Sequence, residues 1–150
     1  MVSKEIFANA KKALIIKPRG IGDVILSTPL IENLKKYYPH LQVDFFCELF
    51  AADTVRGNPW VSNVVTYDSK NESSIALILK IRSRNYDLII DLYANPRTAL
   101  ITKLSGAKYR IGFPFRGRAY AYNILITPRS GKVHNIDFNL DVLRFFQPDR

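Results

Sequence analysis

Short apolar runs alternate with amphipathic segments along the chain. The runs are rich in isoleucine, valine or aromatic residues and stop at glycine, proline or polar clusters, a pattern typical of buried strands. They predict strands over residues 13–17, 41–47, 61–67, 86–92 and 109–113.

Between these runs, apolar residues recur at helical spacing. Leu26, Leu30, Leu34 and Tyr37 are four, four and three residues apart, and polar residues occupy the other side of this helix. We expect this helix to end before Pro39. Asn95 and Pro96 supply a cap residue and a first-turn proline for another helix. The remaining pattern predicts helices over 48–56, 72–84, 96–104 and 134–146, and a loop over 114–132 with one short strand, 123–127.

The alternation of strands and helices predicts an α/β fold, with a parallel sheet covered by helices on both faces. A chain of 150 residues fits one such domain. Ligands of these sheets bind beyond the carboxyl ends of the strands. The loops 18–23 and 93–97 are therefore the places where we expect a site.

Charge is unevenly distributed along the chain. The formal net charge is +9, and residues 92–136 contain eight basic residues and no acidic one, so nearly all the excess arises in that stretch. A local field of one sign favours an anionic partner, such as phosphate, carboxylate, nucleic acid or a membrane surface. Scattered charges on a solvated face are the simpler alternative.

The remaining composition excludes several classes of protein. A hydrophobic content of 47% and one cysteine, Cys47, exclude a disordered tail and a disulfide scaffold. No run approaches the length of a membrane span. Lys11 and Lys12 interrupt the N-terminal apolar pattern, so no signal peptide is expected.

The glycine loop after the first strand only half matches a dinucleotide-binding fingerprint. Gly20 and Gly22 are present, but Ile25 occupies the position of the third glycine. Asp23 would face a bound phosphate with the wrong charge, so we do not expect this loop to hold a pyrophosphate. Asp23 is most simply a helix N-cap, and it is also a candidate carboxylate base at the ligand-binding edge.

Four segments together resemble glycosyltransferase family 9, the ADP-heptose:lipopolysaccharide heptosyltransferases. They are KPRGIGDVILSTPL at 17–30, YDLIIDLYANPRTA at 86–99, LSGAKYRIGF at 104–113 and HNIDFNL at 134–140. The resemblance implies a GT-B enzyme of two Rossmann-like domains. Residues 1–150 would be the N-terminal, acceptor-binding domain, and the C-terminal nucleotide-sugar-binding domain is absent from this chain. By itself the chain is then expected to be inactive.

The resemblance also implies an inverting transfer of heptose from ADP-heptose to the lipopolysaccharide inner core, with Asp23 as the general base. The implied partners are the ADP-sugar donor, held by the missing domain, and an anionic glycolipid acceptor. The implied location is the cytoplasm, in peripheral contact with the inner face of the inner membrane. No metal, other cofactor or nucleic acid is expected.

The predicted acceptor-binding residues lie in the two loops and the basic stretch. A cation in the first turn of a helix is unfavourable unless an anion offsets it, which singles out Arg97. Arginine forks suit phosphate and carboxylate groups. The full predicted set is Lys17, Arg19, Gly22, Asn95, Arg97, Arg116 and Arg118, with Arg110 as a further candidate. For each cation a solvated surface position is the alternative, and Asn95 is most simply a helix cap.

Two other functions stay open at this point. The eight unopposed bases fit a nucleic-acid-binding module, although no RNA-binding or zinc motif accompanies them. The chain also fits a stand-alone nucleotide-binding α/β domain, which tight binding of ADP would indicate.

Overall fold

A computed structural model describes residues 2–17, 25, 27–68, 70–113 and 117–126. Its centre is a six-stranded parallel sheet of order β3-β2-β1-β4-β5-β6. The strands are β1 (Lys12–Ile16), β2 (Gln42–Glu48), β3 (Asn63–Tyr67), β4 (Leu88–Asp91), β5 (Tyr109–Gly112) and β6 (Ile124–Leu125). The predicted strands and the parallel α/β fold are thereby confirmed.

Five α-helices join the described strands or precede them. They are α1 (Val2–Asn9), α2 (Thr28–Tyr37), α3 (Asp53–Arg56), α4 (Ser74–Ser83) and α5 (Pro96–Leu104), with 3-10 turns at Leu49–Ala51 and Ala119–Ala121. The helix predicted over 48–56 is therefore split into a 3-10 turn and α3. The helix predicted over 134–146 lies outside the described residues.

The helices form two layers because the chain reverses direction across the sheet after β3. Helices α1, α2 and α3 contribute Phe7, Leu34 and Val55 to a core on one face, together with alternate residues of the strands. Helices α4 and α5 contribute Leu77, Ile81 and Ile101 to the core on the other face. Such a reversal at the middle of the sheet leaves a crevice at the carboxyl ends of β1 and β4.

Helix α1 was not predicted from the sequence. Its fully buried Phe7 stacks on Tyr38 with the ring centroids 4.9 Å apart. His40 Nε2 lies 2.9 Å from the carbonyl oxygen of Phe7, close to the end of the helix. These contacts bring together positions more than 30 residues apart, so the local sequence pattern carries no sign of them.

Cys47 is fully buried on β2, and burial raises the pKa of its thiol to about 11. Such a shift leaves roughly a hundredfold less thiolate than an ordinary cysteine has near pH 8. We therefore expect iodoacetamide at pH 8 to alkylate the native chain at least about a hundredfold more slowly than the urea-unfolded chain. Mass spectrometry of quenched samples measures both rates, and equal rates would contradict the buried position of the thiol.

Candidate functional site at the carboxyl edge of the sheet

The carboxyl ends of β1 and β4 lie side by side at the predicted site. Ile16 pairs with Asp91, and the N–H of Leu92 donates to the carbonyl of Ile16 at 3.0 Å. Directly beyond these strands, Lys17 Nζ lies 5.7 Å from the ring centroid of Tyr93. The residue that precedes the loop 18–23 thus contacts the loop 93–97 through a cation and an aromatic ring.

Lys17 is only 4% exposed although it carries a cationic head. The attraction between a cation and the face of a tyrosine ring is stronger where water is excluded. Its main chain extends the sheet, since its N–H donates to the carbonyl of Phe46 at 3.1 Å. The strand-end position predicted for Lys17 is therefore found, but the side chain is packed into the edge instead of lying in solvent.

The last residue of β4, Asp91, organises the loop that follows it. Its carboxylate is fully buried and accepts from the N–H groups of Tyr93 at 3.0 Å and Ala94 at 2.8 Å. The other carboxylate oxygen accepts from the hydroxyl of Tyr122 at 2.7 Å. Burial raises the pKa of Asp91, while these hydrogen bonds favour the ionised form. The carboxylate holds Ala94 at a φ of 54°, a conformation that costs a non-glycine residue about 1 kcal/mol.

Tyr122 connects this loop to the end of β5. The ring packs with Ala94, Ala99 and Ala121 in a small buried cluster. Burial, followed by the charge of Asp91, raises the pKa of the Tyr122 phenol above its usual value, so the hydroxyl remains a donor to Asp91 at neutral pH. A Cβ at Gly112 would lie 2.5 Å from the same ring. Glycine at this position therefore makes room for the ring.

Asn95 and Thr98 start α5 with a reciprocal cap. The Asn95 side chain accepts from the N–H of Thr98 at 2.7 Å, and the N–H of Asn95 donates to Thr98 Oγ1 at 3.1 Å. This confirms Asn95 as the N-cap residue, with Pro96 in the first turn. Such a cap stabilises the helix by about 1 kcal/mol. The additional role of Asn95 in ligand binding stays a prediction.

Arg97 reaches from the first turn of α5 to the start of α4. Its guanidinium donates to the carbonyl of Glu72 at 2.7 Å and to Ser74 Oγ at 3.2 Å, and it lies 5.5 Å from the ring centroid of Tyr67. These acceptors offset part of the unfavourable interaction with the helix dipole. The sequence pattern did not predict these partners. Contact between Arg97 and an anionic ligand stays a prediction.

Arg118 is close enough to Tyr122 that its charge lowers the pKa of the phenol, opposing the larger effects of burial and Asp91. Its Nε is buried and has no hydrogen-bond partner among the described residues. A buried donor without an acceptor costs roughly 1–3 kcal/mol. Arg110, by contrast, is engaged: it donates to the carbonyls of Ala121 at 2.9 Å and Ala107 at 3.2 Å.

The structure thus brings Lys17, Asn95 and Arg97 to one edge of the sheet and places Arg118 beside Tyr122. Arg19, Gly22, Asp23 and Arg116 lie outside the described residues. The described part of α2 starts at Thr28 with Ser27 as its N-cap residue. The sequence analysis missed Asp91, Tyr93 and Tyr122. An acid directly after a buried apolar run was the available signal for Asp91.

Within the described ranges, no three His, Cys, Asp or Glu side chains come together in a way that could hold a metal ion. The helices of that same part of the chain are all too short or too polar to cross a bilayer.

Known proteins of similar sequence are lipopolysaccharide heptosyltransferases. No protein-family model matches the chain. It is 29% identical over 136 residues to the lipopolysaccharide heptosyltransferase 3 of Escherichia coli, covering 81% of this chain and 39% of that protein. It is 22% identical over 136 residues to the lipopolysaccharide heptosyltransferase 1 of Campylobacter coli, covering 87% of this chain and 38% of that one. The chain therefore spans about two fifths of the length of these relatives.

Solved structures share its fold. A glycosyl transferase family 9 protein from Veillonella parvula has a TM-score of 0.75 at 24% identity, over 91% of this chain and 41% of that one. The E. coli heptosyltransferase WaaC, solved with ADP-2-deoxy-2-fluoro heptose, has a TM-score of 0.74 at 17% identity, over 89% of this chain and 47% of that one.

The six-stranded parallel sheet and its helices have the α/β fold of the GT-B heptosyltransferase structures, which defines the fold class of the chain. The chain is heptosyltransferase-like in sequence as well: its relatives of known function are lipopolysaccharide heptosyltransferases, and its fold is shared with a glycosyl transferase family 9 protein.

Proposed function

We propose that this chain is the acceptor-binding domain of an inverting glycosyltransferase. The reaction transfers heptose from ADP-heptose to the Kdo or heptose residues of the lipopolysaccharide inner core. The heptosyltransferase relatives, and the ADP-heptose analogue held by one structural neighbour, support this donor. In this proposal the donor is held by a second domain, in the part of the longer relatives that this chain does not cover.

The observation that supports the proposal is the buried Nε of Arg118, which has no hydrogen-bond partner in the described part of the chain and lies near Tyr122. An anion with two oxygen atoms, such as a phosphate or the carboxylate of a Kdo sugar, satisfies a guanidinium through paired hydrogen bonds. The surrounding stretch, 92–136, contains no acid to compete with it. A lipopolysaccharide precursor carries both kinds of anion.

The remaining cations place that anion at the carboxyl edge. Lys17 and Arg97 rest on the rings of Tyr93 and Tyr67, which restricts both side chains to this end of the sheet. Cationic side chains whose conformations are already restricted lose little further conformational freedom when they bind a ligand. In this proposal an acceptor hydroxyl then reaches the carboxylate of Asp23.

Asp23 is the proposed general base. An acceptor hydroxyl attacks the anomeric carbon of the donor while its proton passes to the Asp23 carboxylate, and ADP leaves from the opposite face. Inversion needs one base on the nucleophile. Positive charge from the other domain stabilises the leaving diphosphate. The acceptor is a membrane glycolipid, so the proposed location is cytoplasmic, in peripheral contact with the inner face of the inner membrane.

Binding of the acceptor by this chain tests the proposal directly. With Kdo–lipid A in detergent micelles, we expect calorimetry to show Arg118→Gln weakening the affinity by roughly tenfold or more, since a charged hydrogen-bonding group is lost. Arg118→Lys retains the positive charge but removes the paired N–H donors of the guanidinium, so an intermediate affinity is expected.

Arg56→Gln is the matched control, because Arg56 is exposed and its guanidinium already pairs with Asp53 on α3. Unchanged affinity in Arg118→Gln would contradict the proposed anion site. Tight binding of ADP by the chain would instead favour the stand-alone nucleotide-binding domain. Salt-dependent binding of generic duplex DNA would favour the nucleic-acid module.

A further inference from the structure

We propose that the outward surfaces of α4 and α5 together bind an anionic membrane surface. This inference deepens the proposed function, because it assigns the membrane contact to one face of the domain. The outer sides of the two helices expose four large aliphatic residues: Ile75 at 71%, Leu79 at 61%, Leu100 at 39% and Leu104 at 43%. The opposite sides of the helices are buried against the sheet through Leu77, Ile81 and Ile101.

The four residues belong to one continuous surface. Helices α4 and α5 cover the same face of the sheet and pack against each other. Arg97 joins their first turns through Ser74 Oγ and the carbonyl of Glu72. At the other end, Arg82 donates to the carbonyl of Leu104 at 2.8 Å. The helices are thus linked at both ends and present their outer sides side by side. We call this surface the α4–α5 face.

The charged residues of helices α4 and α5 themselves are all positive. Residues 73–113 contain only two acids, Asp87 and Asp91. Asp87 accepts from the backbone of Lys11 and Lys12 at the amino edge of the sheet, and Asp91 is fully buried. Arg82, Lys103 and Lys108 are exposed. Glu72, just before this range, is paired with Lys80 at 2.8 Å.

This combination favours a lipid surface over a second copy of the chain. Two copies joined through the α4–α5 face would bring Arg82 and Lys103 of each close to those of the other, with no exposed acid on the face to offset them. An anionic bilayer attracts each such cation near its surface. It also accepts aliphatic side chains to a depth of roughly 5–10 Å.

Flotation with vesicles tests the assignment without any sugar donor or acceptor. We expect the chain to float with vesicles of phosphatidylethanolamine and phosphatidylglycerol, and far less with phosphatidylcholine alone. The double variant Ile75→Gln/Leu79→Gln should lower the partition coefficient by roughly tenfold or more. Its matched control is Leu49→Gln/Phe50→Gln, which removes two apolar side chains of similar exposure, 56% and 61%, outside the face.

Charge reversal gives a second readout. Arg82→Glu/Lys103→Glu should lower binding to the anionic vesicles by at least about fivefold for each reversed charge. Lys36→Glu/Arg56→Glu is the control, because both residues lie in exposed ion pairs on α2 and α3, in the other layer. Circular dichroism verifies that each variant is folded.

Three results would overturn the assignment. The wild-type chain could fail to float, the control variants could lose binding as much as the α4–α5 variants, or Ile75→Gln/Leu79→Gln could abolish a concentration-dependent dimer in sedimentation. The Arg118→Gln variant should float like the wild type. Failure of the anion site and failure of the membrane face are therefore distinguishable.

Discussion

Replacing Gly112 with alanine is expected to destabilise the domain by about 3 kcal/mol. The added Cβ would lie 2.5–2.6 Å from three atoms of the Tyr122 ring, well inside contact distance. The ring cannot move freely, because its hydroxyl is bonded to the buried Asp91 and its face packs on alanines of α5 and the neighbouring turns. Any shift of the ring moves the Tyr122 hydroxyl away from the Asp91 carboxylate, which then loses a hydrogen-bond donor. The midpoint of urea unfolding measures the loss.

Gly57→Ala is the matched control for this substitution. A Cβ there meets nothing within 4 Å, and its φ of −85° suits any residue. The change in unfolding free energy should stay within about 0.5 kcal/mol. A double-mutant cycle adds specificity: in a Tyr122→Ala background, Gly112→Ala should cost much less than in the wild type. Equal costs in the two backgrounds would show that the ring is not what excludes a side chain at position 112.

Replacing Asp23 with asparagine is expected to lower the rate of heptose transfer by roughly 10²- to 10⁴-fold, the usual contribution of a general base. The assay needs the donor-binding half, so the variant is made in a chain joined to the C-terminal part of a curated relative. Asparagine keeps the size and the capping oxygen of the side chain. A loss of kcat with little change in the KM for the acceptor therefore indicates a lost base and not a lost fold.

Asp53→Asn is the control for this second substitution. Asp53 is also an acid near the start of a helix, but its side chain is 88% exposed and pairs only with Arg56 in the described part of the chain. The rate should remain near that of the wild type. A rate for Asp23→Asn within a few fold of the wild type would remove Asp23 from the mechanism and leave helix capping as its role.

The strands and the parallel arrangement of the sheet could be predicted from local patterns, whereas the order of the strands could not. The runs centred on Ile15, Phe45 and Ile90 are buried on both sides, and strands of a parallel sheet read as continuous apolar segments for that reason. The start of α5 was equally predictable, because Asn95 and Pro96 act through contacts within one turn. The run at 61–67 was predicted two residues too long, since Val61 is apolar but packs on the core from the turn before β3.

The site was less predictable, because its contacts join distant segments. Tyr122 bonds to Asp91 across 31 positions, and Arg97 binds the backbone of Glu72 across 25. No periodicity encodes such pairs. Helix α1 escaped prediction for the same reason, since Phe7 is stabilised by Tyr38 and His40 and not by its own neighbours. The residue types indicated at which edge of the sheet to expect a ligand. The contacts that hold Lys17 and Arg97 could be identified only from the structure.

The order of the strands has a consequence for how the chain folds. β1 lies at the centre of the sheet, and its partner β4 is about 75 residues further along the chain. During synthesis, the first three strands can pair before β4 has emerged, and one side of β1 then has unpaired backbone groups and exposed isoleucines. Closing so long a loop is slow compared with local helix formation. The segment that completes the ligand edge, from β4 to Tyr122, is therefore also the segment that ends the period in which the nascent domain is prone to aggregate.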